Sequence, residues 1–158
     1  MRWTKSSFKG SRRNSPMTSA ERIKQRVKHL HERVERLKSF QAYTLEEYLS
    51  DFKLRDAVER NFQVAIESCA DIAGYLIAEY GLEQPIERRA VFYVLAGADI
   101  LENDFADMMA QAVSLRNRLV HLYMTIEPAK MYYYLQNDVV HFERFEALTL
   151  AALDEAQE

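Results

Sequence analysis

Four glycines and three prolines in 158 residues leave this chain with little to interrupt a helix, and a fold of many short strands would need more of both at its turns. The single cysteine, Cys69, excludes an internal disulfide and any Cys-rich zinc site. No apolar run approaches the roughly 20 residues that a membrane-spanning helix requires. The basic start Met1-Arg2-Trp3-Thr4-Lys5 is not followed by the apolar core of a signal peptide. These absences point to a bacterial-style cytoplasm and no membrane partner.

What is present is ordinary for a globular protein: 48% hydrophobic and 28% charged residues, enough for one real core at this length. The formal charge of −3 hides an asymmetry. Residues 1–16 carry Arg2, Lys5, Lys9, Arg12 and Arg13 without an acid, a charge of +5, which leaves −8 on the remainder. An acidic body binds nucleic acid poorly in general, so action on RNA would require a local basic pocket or a basic partner surface. The aperiodic stretch 1–16 reads as a basic disordered tail, with Met17 a candidate start. Its expected role is a solvated tail, with a nucleic-acid-binding arm as the alternative. Residues 17–158 form a single helical domain in this reading.

Thr18-Ser19-Ala20-Glu21 has the form of a capping box. It precedes Ile23, Val27, Leu30, Val34 and Leu37, a narrow stripe suited to helix-on-helix packing. Thr44-Leu45-Glu46-Glu47 repeats the box before a short helical turn. From about Asp51 to Tyr80 a broad apolar face runs through Leu54, Val58, Phe62, Ala65, Ile66, Cys69, Ile72, Ala73, Leu76 and Ile77, and Gly81 can take a left-handed end. Pro85 suits the first turn of a helix over 86–98. Asn103 is placed to cap another over 104–122. Pro128 opens a last one towards Leu153, weak at Asn137-Asp138. With no sustained period-two alternation, the expected fold is all-α, a four- to five-helix up-and-down bundle.

Chemistry concentrates in Arg116-Asn117-Arg118-Leu119-Val120-His121-Leu122-Tyr123. On a continuous helix Tyr123 projects about 20° from Arg116, while His121 lies about 40° from Asn117 and about 140° from Arg116. The four side chains share one broad side, with arginine and histidine at its margins. Attack of a 2′-hydroxyl on the adjacent phosphate needs one proton removed, one returned, and added negative charge stabilised. Histidine titrates near enough to neutrality for either proton role, and arginine grips two phosphate oxygens. Asn117 can orient the arginine or the phosphate. No cofactor or metal is called for. One copy supplies half of an acid/base pair, and two copies would bring two histidines together. Spacing alone also fits a surface arginine beside a satisfied histidine.

The string RNRLVHLY resembles the Arg-x4-His-x-Tyr signature of HepT-like proteins, a branch of the HEPN superfamily found as toxins in prokaryotic toxin–antitoxin pairs. The segment from Arg60 to Glu67, with Asp71-Ile72-Ala73, is similar to that family's second conserved helix, and the likeness spans roughly residues 20–155. The resemblance implies a homodimer with two motifs facing each other in a cleft, and metal-independent RNA cleavage by Arg116 and His121 with Asn117 in support. It implies an MntA-like nucleotidyltransferase antitoxin that transfers AMP to Tyr123, putting bulk and negative charge where the RNA phosphate would sit. Two other readings compete: a non-catalytic helical module that partners a minimal nucleotidyltransferase, and a purely structural helical dimer.

Outside the motif, His29 and His31 are expected on a solvated surface, His141 at a partly buried helix position, and Cys69 in the core. Tyr132-Tyr133-Tyr134 should point three ways, with base stacking as the alternative. Glu67 and Asp71, one helical turn apart, read as a surface pair or partner contact.

Overall fold

A computed structural model describes residues 15–121 and 125–156. Among the described residues every regular element is helical: α1 Ser19–Phe40, α2 Leu45–Ser50, α3 Phe52–Glu79, α4 Ala90–Gly97, α5 Asn103–Val120, α6 Pro128–Asn137 and α7 Val139–Ala156. None is long and apolar enough to cross a membrane.

The starts of α1 and α2 follow from local chemistry. The hydroxyls of Thr18 and Thr44 accept from the backbone N–H groups of Glu21 and Glu47, whose carboxylates accept from the threonine N–H groups in return. Each reciprocal pair satisfies two N–H groups that a helix start would leave without partners. α3 ends at Gly81 with φ +65°, where Leu82 N–H reaches the Ile77 carbonyl and Gly81 N–H that of Ala78. The same pattern closes α4, but Asp99 holds the left-handed position there, with φ +60°.

α3 is the axis. α1 packs along it, α7 lies against both, and α5 packs on α3 and α4. The α1 stripe from Ile23 to Leu37 is buried, as is each of the ten apolar residues expected on α3. Phe62 meets Phe142, and Phe92 meets Phe145 edge-on at 5.8 Å between ring centres. α2 and α6 close one end, where the Tyr48 and Tyr132 rings are 5.5 Å apart.

Three boundaries differ from expectation. α4 starts at Ala90 rather than 86, because Ile86 finds no apolar partner and stands fully exposed; Pro85 therefore belongs to the connection. Asn103 is the first residue of α5, not its cap, and the capping position falls on Glu102. α5 also stops at Val120, with His121 extended at φ −83°, ψ 113°. The last expected helix is divided at Asp138, as the Asn137-Asp138 weakness suggested.

Tyr48 is fully buried on α2, and its hydroxyl has no hydrogen-bond partner among the described residues. Burial, with Glu59 nearby, pushes its pKa up to about 12. An unpaired buried hydroxyl costs about 1–3 kcal/mol. Tyr48→Phe should therefore hold or raise stability by about 1 kcal/mol in urea unfolding. A loss of that size would show that the hydroxyl is satisfied.

Candidate functional site

α5 carries Arg116 and Asn117 on its last turn and delivers His121 immediately after it. His121 is exposed, and its backbone N–H closes the helix on the Asn117 carbonyl at 3.3 Å. Because the helix ends at Val120, its angular projection does not govern His121, which leaves the end of α5 on an extended backbone. Tyr123, the expected modification site, lies outside the described residues.

The environment of Arg116 is built by α3. The Nε and Nη2 groups of Arg116 both stand 2.8 Å from one oxygen of Glu67, Oε1. Nη1 donates to the Asn117 side-chain oxygen at 3.2 Å, and Gln63, one turn before Glu67, donates to the same Oε1 at 3.2 Å. Glu67 grips the guanidinium along its side and fixes its plane, which leaves Nη hydrogens at the far end for an incoming anion. Burial alone would raise the Glu67 pKa. The hydrogen bonds from Gln63 and Arg116, with the charges of Arg116 and Arg60, outweigh burial and hold the carboxyl below its ordinary value.

One turn further along α3, Asp71 is bracketed by two arginines. Arg88, from the connection before α4, bonds Oδ1 directly, and Arg26 of α1 stands 3.7 Å from Oδ2. Glu67, Asp71, Arg88, Arg116 and Asn117 rim a cleft of about 440 Å³. Its floor is the buried apolar surface of Ile66, Ala70 and Val113. Glu67 and Asp71 are thus not a simple surface pair but the α3 wall of a mixed-charge cleft with the motif arginine on its opposite wall. Each arginine of the rim is paired with one of its acids.

A second cleft, about 250 Å³, opens on the other flank of α5 between Met108, Leu115, Tyr134, His141 and Phe142. Ile66 lines both clefts. His141 sits there half-buried, 3.4 Å from Asp138, so it belongs to the flank away from Glu67 and Asp71. His31 is exposed yet ties α1 to α7 through Glu146 at 3.1 Å, a link that its sequence neighbours could not reveal. His29 is exposed, and Cys69 is buried, its thiol pKa raised by burial. The three tyrosines do diverge. Tyr132 bonds the Tyr43 carbonyl at 2.7 Å, Tyr133 is exposed, and Tyr134 lines the second cleft. Among the described residues no group of three or more His, Cys, Asp or Glu is placed to hold a metal ion.

Comparisons with known proteins converge on one group. A family model described as ribonuclease HepT-like matches residues 30–147. An mRNA nuclease HepT of Shewanella oneidensis is 30% identical over 99 residues, covering 63% of this chain and 74% of that protein. A tRNA nuclease HepT of Aphanizomenon flos-aquae is 28% identical over 110 residues, covering 70% and 75%. Among solved structures, a tri-AMPylated Shewanella oneidensis HEPN toxin in complex with MNT antitoxin superposes with a TM-score of 0.77 at 25% identity, over 85% of this chain and 99% of that one.

Proposed function

This chain belongs to the ribonuclease HepT-like family, and from that premise we propose that it is the RNA endonuclease toxin of a toxin–antitoxin pair. Arg116 and His121 do the chemistry, and a nucleotidyltransferase antitoxin switches them off. The observation that carries the site assignment is Arg116 itself, clamped edge-on by Glu67 and Asn117 at a cleft mouth on the helix that ends just before His121. Held in this way at the rim, the guanidinium keeps Nη hydrogens for a phosphate.

The reaction needs few parts. One histidine takes the proton of a ribose 2′-hydroxyl as its oxygen attacks the adjacent phosphorus. A second returns a proton to the departing 5′-oxygen, so the strand breaks to leave a cyclic phosphate and a free hydroxyl. Arg116 neutralises the charge that builds on the phosphate oxygens. The second histidine comes from a second copy. In support of a homodimer, Met108, Ala112, Leu115 and Leu119 form a stripe along α5 at spacings of four, three and four, next to Arg116. Met108 is exposed and the other three are only partly buried, an apolar edge that a second chain would cover.

Residues 17–158 act as the one folded domain in this proposal, working in the cytoplasm where the RNA is. Tyr123 follows His121 by two residues and serves as the AMP acceptor. A phosphodiester attached there brings negative charge towards Arg116, competing with the substrate phosphate. Expressed alone, the chain should arrest growth, and the purified protein should cut RNA with a chelator present. Co-expression with a cognate nucleotidyltransferase should restore growth and add one or more AMP units to the intact mass, lost in Tyr123→Phe. A harmless chain that cuts no RNA after removal of any adduct would instead identify the non-catalytic partner module.

A further inference from the structure

We propose that the cleft between α3 and α5 is a guanine subsite, in which Asp71 and Arg88 read the base of the RNA nucleotide whose phosphate Arg116 holds. The inference rests on the ribonuclease reading and adds a sequence preference to it. Three features of the cleft carry it.

The first is shape. The floor of Ile66, Ala70 and Val113 is buried and apolar, and the volume of about 440 Å³ falls within the roughly 300–1,000 Å³ range of small-molecule sites. These three residues close the bottom of the hollow, and the polar groups stand at its rim, where they can meet the edge of a base. The second is position. Arg116 and Asn117 form the α5 wall of the same cleft, so a base in the hollow keeps its own phosphate within reach of Arg116.

The third is the order of donors and acceptors. Guanine presents two adjacent N–H donors, N1–H and N2–H, followed by the acceptor O6. Uracil, adenine and cytosine each present a single donor position on that edge, so only guanine gives a carboxylate two parallel hydrogen bonds. Asp71 and Arg88 set a carboxylate directly beside a guanidinium, acceptors next to donors. Asp71 is held from both sides, yet Arg26 at 3.7 Å from Oδ2 is too distant for a hydrogen bond. That oxygen still accepts, as does the second lone pair of Oδ1, while Arg88 keeps further N–H groups for O6. Glu67 is committed differently: its Oε1 already takes three donors and serves Arg116.

The test has a binding arm and a cleavage arm. In the first, the full chain carrying His121→Ala is titrated with each of the four ribonucleoside 3′-monophosphates. The guanine nucleotide should bind about tenfold or more tightly than the other three. Asp71→Asn and Arg88→Met should each bring the four affinities within about twofold of one another. Arg116→Ala should weaken all four together. In the second arm the wild type is given oligoribonucleotides that differ only in the bases flanking the cut, and guanine at one flank should raise kcat/KM by a similar factor, lost in the same two variants. Arg88 is exposed on a connection, so its variant stands in if Asp71→Asn fails to fold. Equal affinities for the four nucleotides overturn the subsite, and so does RNA cleavage indifferent to both flanking bases. Guanine preference in a wild type that cuts no RNA upholds the base site and sinks the ribonuclease reading instead.

Discussion

Arg116→Ala and His121→Ala should each slow RNA cleavage by about two to four powers of ten, the usual weight of a positioned proton carrier or charge-stabilising group. His121 is exposed at a helix end, so its loss should move the melting temperature little. Arg116 and Glu67 are each about a third exposed, and pairs of that kind contribute little to stability. Each variant should therefore remain folded by circular dichroism while losing activity. Arg116→Lys tells charge from geometry. A lysine ammonium cannot take Glu67 along one edge and a phosphate at the other end. It should stay at least about tenfold below wild type. Full activity in Arg116→Lys would reduce the arginine to a point charge. A His121→Ala enzyme within tenfold of wild type would remove the histidine from the proton path.

The largest effect on stability should come from Phe145→Ala. Phe145 is fully buried on α7 and meets Phe92 of α4 edge-on, so its ring links two elements distant in sequence. Removing a buried aromatic ring loses its transfer energy and leaves a cavity, costing about 3–5 kcal/mol. For a chain of this size that corresponds to a fall of roughly 10 °C in Tm. A shift below about 3 °C by calorimetry would mean that the surrounding helices collapse into the space.

The parts of this molecule that were legible in its sequence are those set by local periodicity. The stripe Ile23, Val27, Leu30, Val34 and Leu37 and the face from Leu54 to Ile77 can be read directly, because a helix buries the residues that recur on one side. The two capping boxes are equally local. Pro85 misled because a proline suits a first turn only where the next residues have something to pack against, and Ile86 has nothing. His121 misled for a related reason: an angle drawn on a helical wheel assumes that the helix continues.

The motif could be found by its residue types, but its setting could not. Glu67 and Arg116 are 49 residues apart, and Arg26 and Arg88 reach Asp71 from two further segments. The available signal was modest: two acids one turn apart at the margin of the longest helix, beside its broad apolar face. Only the packing of α5 and the α3–α4 connection against that margin makes a site of it.

Ile66 gives the molecule a property that neither cleft has alone. It lines both the cleft on one flank of α5 and the apolar groove on the other. Interiors packed to solid density transmit a displacement instead of absorbing it. A substitution at Ile66 therefore alters the lining of both clefts at once.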